Sequence, residues 1–217
     1  MEHLYKVNEI FKSIDGEGVR TGLPVIFIRL HGCNLRCKYC DTRYACEQEE
    51  FTLMTREQIV NRCLELGGSR ITLTGGEPLL DPEINELVLA LRYREFEINI
   101  ETNGSVDISS ICWITDIITM DYKCSCSGME HLMKTENIRY LDKGDVLKFV
   151  VGSIEDLDRM KEIIRLFRPR CRVYVSPVFG AIEPAQLVEY VLENNLDDVT
   201  VQVQLHKIIW NPNMRGV

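Results

Sequence analysis

Short β-rich runs alternate with amphipathic helical patterns along most of this chain. That alternation constrains the fold most, because parallel strands need a long crossover between them and a helix usually supplies it. The runs are PVIFIRL from Pro24, ITLT from Ile71, INIE from Ile98, DIITM from Asp116, VLKFVV from Val146, RVYVSPV from Arg172 and VTVQVQL from Val199. Several read as continuous buried runs rather than as clean alternations. The helices are marked by their ends. Thr55 and Gln58 form a capping-box pattern ahead of Ile59, Val60, Cys63 and Leu64, and Gly67 with Gly68 can end that helix. Asp81 as N-cap with Pro82 at the first helical position opens a second, with Ile84, Leu87, Val88 and Leu91 on one face. Ser153 opens a third through Leu157, Met160, Ile164 and Phe167, stopped by Pro169. Pro184 starts a fourth with Leu187, Val188, Val191 and Leu192, closed by Asn194 and Asn195.

Helices are fewer than strands. INIE connects to DIITM by a short segment, and the connection from DIITM to VLKFVV shows no long helical period. A complete eight-fold barrel typically takes about 250 residues, and this chain has 217. The expected fold is therefore α/β, a partial (open) parallel β/α barrel, in a single domain over residues 1–217. A hydrophobic content of 45% with 27% charged residues suits a globular chain that buries its own core. No stretch approaches the apolar length of a membrane span, and MEHLYKVNEI carries no signal-peptide pattern, so the expected location is the cytoplasm, with no membrane partner. A net charge of -8 argues against a nucleic-acid partner, since phosphate binding relies on excess Lys and Arg. A local basic pocket for a small anionic substrate is still compatible with that balance.

One residue after VIFIRL comes GCNLRCKYCDT, so Cys33, Cys37 and Cys40 sit on the loop after a strand, at the carboxyl end where parallel α/β folds collect their active sites. C-x-x-x-C-x-x-C supplies three thiolates and leaves a coordination position open. A cubane cluster used for electron transfer is normally held by four cysteines, so one held by three has an iron free for a small molecule. A structural zinc site would have to recruit His31 or Cys46 as fourth ligand. A disulfide framework fits poorly with nine cysteines, an odd number, and no secretory signal. Tyr39 either covers one cluster face or simply packs. The second motif is ITLTGGEPLL, in which Gly75 and Gly76 let backbone approach a ligand closely and Glu77 can accept hydrogen bonds from an ammonium group. Alone, that string could be a plain strand-to-helix turn.

Together, C-x-x-x-C-x-aromatic-C and a GGE turn after the second core strand resemble the radical S-adenosylmethionine superfamily. The resemblance implies that Cys33, Cys37 and Cys40 hold a 4Fe-4S cluster whose free iron chelates S-adenosylmethionine, and that one electron cleaves it to a 5'-deoxyadenosyl radical. It also implies that Gly76 and Glu77 contact the methionine amino group. Small members include glycyl-radical activases and a pterin-rearranging enzyme. IDGEG from Ile14, Arg29 in FIRL, CDT after Cys40 and QLHKIIW from Gln204 resemble the 7-carboxy-7-deazaguanine synthase family, with similarity from Val7 to the C-terminus.

That family converts 6-carboxy-5,6,7,8-tetrahydropterin to 7-carboxy-7-deazaguanine, on the route to queuosine and related deazapurines, and uses Mg2+. The resemblance implies hydrogen abstraction from C6, ring contraction and loss of ammonia. It implies substrate contacts at Ile14, Asp15, Gly16, Arg29 and Thr74, the Mg2+ ligand at Thr42, and S-adenosylmethionine contacts at Asp121, Tyr122 and Lys123. Glu17 and Glu101 are candidates for the paired donors of the 2-amino-pyrimidinone edge, and Arg29 for the substrate carboxylate. His206 is either ligand-facing or an ordinary packed histidine, and Asp41 either joins the metal or caps the loop. Asp15 stands where the family commonly has Gln, so a backbone contact survives there better than a side-chain one. CSCSG, with Cys124 and Cys126, replaces a stretch that is often Pro- and Ser-rich, and its spacing does not suit a second cluster. Cys46, Cys63, Cys112 and Cys171 read as small buried hydrophobes or idle thiols. The resemblance further implies an electron donor such as flavodoxin and a homodimer. The competing readings are an activase for a large glycyl-radical partner and a non-catalytic iron-sulfur or zinc binding module.

Overall fold

The computed structural model describes residues 2–48, 50–211 and 214–216. Among them nine strands form one sheet in the order β3-β1-β2-β4-β5-β6-β7-β8-β9. The strands are β1 (Tyr5–Ile14), β2 (Pro24–Leu30), β3 (Thr52–Met54), β4 (Arg70–Gly75), β5 (Glu97–Thr102), β6 (Ile117–Tyr122), β7 (Val146–Val151), β8 (Arg172–Pro177) and β9 (Val199–Val201). From β2 to β9 every pairing is parallel, while β1 pairs antiparallel with both β2 and β3. The ends of that order do not pair, so the barrel is open, as expected, but the sheet is mixed. The antiparallel members are the ones the sequence patterns missed. In β1 the register slips between Val7 and Glu9, and such a bulge breaks the period-2 signal of the strand.

The helices are α1 (Tyr44–Glu47), α2 (Arg56–Leu66), α3 (Ile84–Tyr93), α4 (Ile154–Phe167), α5 (Pro184–Glu193) and α6 (Leu205–Ile209). The α2 capping box forms: Gln58 N donates to Thr55 Oγ1 at 3.2 Å and Thr55 N to Gln58 Oε1 at 2.8 Å. Ser153 caps α4 as expected, by accepting from Asp156 N. The start of α3 differs. Glu83 is its cap residue, and Asp81 instead takes Glu83 N in a turn and His3 Nε2 from the N-terminal segment. No α-helix lies between β5 and β6 or between β6 and β7, and VTVQVQL is strand only to Val201 before turning into α6. No described helix is long and apolar enough to cross a membrane.

The strands alternate more strictly than their composition suggests. Ile71, Leu73, Ile98, Ile100, Ile118 and Met120 join Ile59, Leu87, Val88 and Leu91 of α2 and α3 in one core. The residues between them, Thr72, Thr74, Asn99, Glu101, Thr119 and Asp121, line the concave side. Parallel register keeps each set in line, with Thr72 beside Asn99, Glu101 beside Thr119 and Asp121 beside Lys148.

Candidate active site

The lower concave layer is closed by the segment between β1 and β2. Thr72 Oγ1 donates to Asp15 Oδ2 at 3.0 Å, and Thr119 Oγ1 to Asn99 Oδ1 at 3.0 Å. Asp15 N donates to Leu23 O, and Gly22 N to Asp15 O, so both backbone groups of Asp15 are committed to the turn. Burial with the Glu101 charge nearby pushes the Asp15 carboxyl up to about 7. Asp15 is thus a buried floor residue. Above it opens a cavity of about 960 Å³ that reaches the cysteine loop and the C-terminal helix.

A close approach that only glycine permits shapes the upper rim. A side-chain carbon at Gly76 would lie 2.1 Å from Gly32 O and 2.8 Å from the Cys33 Cβ, so only glycine lets β4 exit against the cysteine loop. Gly76 N donates to Leu30 O, and Glu77 N to Gly32 O, tying the two motifs together. Cys33, Cys37 and Cys40 all line the cavity. The Cys33 thiol is pulled below the ordinary range, first by a hydrogen bond from Cys46 and then by Leu35 N and Asn103, against the effect of burial. Burial pushes the Cys37 and Cys40 thiols up. Cys46 therefore lies against a motif cysteine rather than idle. Among the described residues no three His, Cys, Asp or Glu side chains stand close enough to chelate a single ion. Three thiols spread around one cavity fit the wider span of a cubane cluster.

The same cavity holds a charge cluster built on Lys148. Its Nζ lies 3.2 Å from Asp121 Oδ1 and 3.5 Å from Glu17 Oε1, with a side chain 8% exposed. Lys123 Nζ holds the other Asp121 oxygen at 2.6 Å and stands 5.9 Å from the Tyr39 ring centre. Burial would raise the Asp121 carboxyl, but Lys123 and Lys148 hold it below the ordinary carboxylate range. Glu101 goes the other way, raised by burial, with Thr74 Oγ1 donating to its Oε2 at 2.8 Å. Glu17 Oε1 also accepts from Gln204 Nε2 at 2.9 Å, whereas its Oε2 is buried with no hydrogen-bond partner. A buried acceptor left in this state is a place for a ligand N–H.

Arg29, beside Thr74 in register, gives its Nε to Glu9 Oε1 at 2.8 Å, and Tyr44 OH donates to the same oxygen. No other described residue bonds its guanidinium, so both Nη groups are left to the cavity. Asp41 pairs with Lys207 Nζ of α6 at 2.8 Å and accepts from Thr42 Oγ1 at 2.9 Å, so it ties the loop to the C-terminal helix. Leu205 N donates to Gly16 O, and a carbon added at Gly16 would come within 2.4 Å of His206 Nδ1. Ile14, Gly16, Thr42 and His206 thus meet in one cavity wall.

Two of the expected contacts lie elsewhere. Glu77 is 2% exposed, and its carboxylate accepts from Leu79 N, Thr102 Oγ1 and Asn103 N, so its side chain braces the turn and is outside the cavity lining. Tyr122 falls on the other face of β6 from Asp121 and Lys123, where its ring meets Phe149 and its hydroxyl meets Glu130 and Arg159. Lys148 and Asn103 join the site without having been singled out, Gln204 was read only as the start of a motif, and Cys46 only as a spare zinc ligand or idle thiol. The signal for Lys148 was present as one charged residue inside the apolar run VLKFVV, since a lysine buried in a strand requires carboxylate partners.

A three-cysteine loop pressed on a glycine turn at the carboxyl edge of an open barrel defines the radical S-adenosylmethionine class, whose enzymes bind an iron-sulfur centre and S-adenosylmethionine. A family model described as the Radical SAM superfamily matches residues 27–114. The 7-carboxy-7-deazaguanine synthase of Clostridium acetobutylicum is 48% identical, covering 98% of this chain and 99% of that protein. The protein of the same name from Chlorobaculum tepidum is 38% identical, with 97% and 96% covered. The chain belongs to the 7-carboxy-7-deazaguanine synthase family. The crystal structure of QueE from Escherichia coli superposes with a TM-score of 0.75 at 22% identity, over 94% of this chain and 95% of that one, a likeness of fold.

Proposed function

We propose that this chain converts 6-carboxy-5,6,7,8-tetrahydropterin to 7-carboxy-7-deazaguanine with loss of ammonia, as a carbon–nitrogen lyase of the queuosine route. The observation that carries the reading is that one cavity joins the three-cysteine loop to a buried, unpartnered carboxylate oxygen on Glu17. Cys33, Cys37 and Cys40 would hold a 4Fe-4S cluster, with S-adenosylmethionine against Gly76, Asp121 and Lys123, and together these supply a 5'-deoxyadenosyl radical.

The chain's own residues select and orient the substrate. Glu17 Oε2 accepts an N–H of the 2-amino-pyrimidinone edge, and Lys148 with Gln204 holds the other carboxylate oxygen and aims the group. Glu101 is the second acceptor for that edge, oriented by Thr74. The Nη groups of Arg29 take the substrate carboxylate, and Gly16 with His206 closes the opposite wall. Thr42 offers one hydroxyl without a carboxylate cage, which suits Mg2+ completed by water and substrate oxygens. A low-potential donor such as flavodoxin supplies the electron, and the chain works as a homodimer.

Anaerobic incubation of the reconstituted protein with reductant, S-adenosylmethionine, Mg2+ and the carboxylated pterin is expected to yield the deazaguanine product. Intact cluster with no product, or a glycyl-radical signal raised on a large partner protein, would sink the assignment.

A further inference from the structure

The Cys33 sulfur accepts hydrogen bonds from two amide N–H groups, Leu35 N at 3.4 Å and Asn103 Nδ2 at 3.6 Å. The first is a local consequence of the loop. The second crosses from the end of β5 and is held by a closed ring of side chains. Asn103 Oδ1 accepts from Ser105 N at 2.9 Å and from Ser105 Oγ at 2.6 Å. Ser105 Oγ accepts from Asn34 Nδ2 at 2.8 Å, and Asn34 Oδ1 accepts from Asn103 Nδ2 at 3.1 Å. A backbone N–H can only donate, so the atom of Asn103 facing Ser105 N is the carbonyl oxygen, and the amide nitrogen must face Cys33. Asn103 and Ser105 are 7% and 9% exposed, so water competes little for these bonds. The backbone N–H of Asn103 also donates to Glu77 Oε2 at 2.6 Å, which anchors the residue to the turn that carries Gly76.

We propose that Asn103 is a positioning residue that sets the reduction potential of a cluster held at Cys33, through an N–H···S hydrogen bond fixed by Ser105 and Asn34. This rests on the reading of Cys33 as a cluster ligand. A reduced cluster places more negative charge on its sulfur ligands than an oxidised one, so a donor aimed at the thiolate favours the reduced form. Removing the donor makes the cluster harder to reduce without removing a ligand.

The test is a redox titration of the anaerobically reconstituted full chain, followed by the paramagnetic signal of the reduced cluster, with iron and sulfide counted for each variant. At the potential where the parent is half reduced, Asn103→Leu should lower the ratio of reduced to oxidised cluster about threefold to tenfold. Asn103→Asp should lower it further, because a carboxylate repels the thiolate. Ser105→Ala, which frees the carboxamide but keeps it, should give a smaller drop in the same direction and decides the matter if Asn103→Leu fails to load. Full cluster content with the parent's midpoint in Asn103→Asp and Ser105→Ala overturns the inference alone. A parent chain that binds no iron or sulfide overturns the cluster reading and this inference with it.

Discussion

On β4, β5 and β6, residues one position apart live in opposite chemistries. Ile71, Leu73, Ile98, Ile100, Ile118 and Met120 are at most 2% exposed and pack on helices. Their neighbours turn inward: Thr74, Glu101 and Asp121 line the cavity, while Thr72, bonded to Asp15 of the β1–β2 turn, and the Asn99–Thr119 pair form the polar layer beneath it. A strand buried in a parallel sheet usually carries apolar residues on both faces, because helices cover both. Here helices cover the outer face, while the concave face is kept polar for a ligand. Stability and function are therefore written on alternate residues of the same strands, and substitutions separate them.

The largest effect should come from the rim. Cys37→Ser should abolish turnover and cluster loading while leaving the melting temperature of the metal-free chain within a few degrees of the parent, measured by circular dichroism. On the outer face, Leu73→Ala should cost ~2–5 kcal/mol of unfolding free energy in a denaturant titration, with product formed per folded molecule unchanged. Thr74→Val, one residue along, should do the reverse: stability within ~1 kcal/mol and a drop in kcat/KM of about tenfold or more. Equal losses of stability at Leu73 and Thr74 would break the two-face account.

Lys148→Met should be destabilising by roughly 2–4 kcal/mol near pH 8, because Glu17, Glu101 and Asp121 are left around an uncompensated site. The deficit should shrink toward pH 5, where the Glu101 carboxyl, already raised by burial, takes up a proton. Asp15 gives a smaller, pH-shaped effect. Its folded carboxyl titrates near 7 against an ordinary value of 3.8, so the folded chain binds more protons than the unfolded one between those limits. Stability should therefore fall as pH rises through that window, by ~1–3 kcal/mol from this group, and Asp15→Asn should flatten the profile. The smallest effect is at Thr42, where Ala should weaken Mg2+ activation a few-fold while cluster content and S-adenosylmethionine binding stay at parent level. An unchanged Mg2+ response removes Thr42 from the site.

Much of this was legible one segment at a time. The capping box at Thr55 and Gln58, the Ser153 cap and the three cysteines after VIFIRL all depend on residues a few positions apart, and local chemistry decides them. Strand alternation was legible too. Applied to MDYK, it assigns Tyr122 to the helix side and Asp121 with Lys123 to the cavity. β1 was hidden by its bulge, and α3 starts at Ile84 rather than next to Asp81, whose side chain instead closes a turn on Glu83 N and also meets His3, distant in sequence.

The residues in order were enough for the reaction class, through the resemblance carried by C-x-x-x-C-x-aromatic-C and the GGE turn, and for the parallel strands β2 and β4 to β9 with helices α2 to α5. Which carboxylate keeps a free oxygen, which charge holds it and which amide faces Cys33 depend on the assembled fold. Glu17, Glu101, Asp121, Lys148 and Gln204 lie on separate segments; parallel register brings Lys148 beside Asp121, and the loop between β1 and β2 folds Glu17 onto it. The physical reason is burial: a charge deep in a sheet must be satisfied by whatever the neighbouring strands present at the same height, and that height is a property of the assembled barrel.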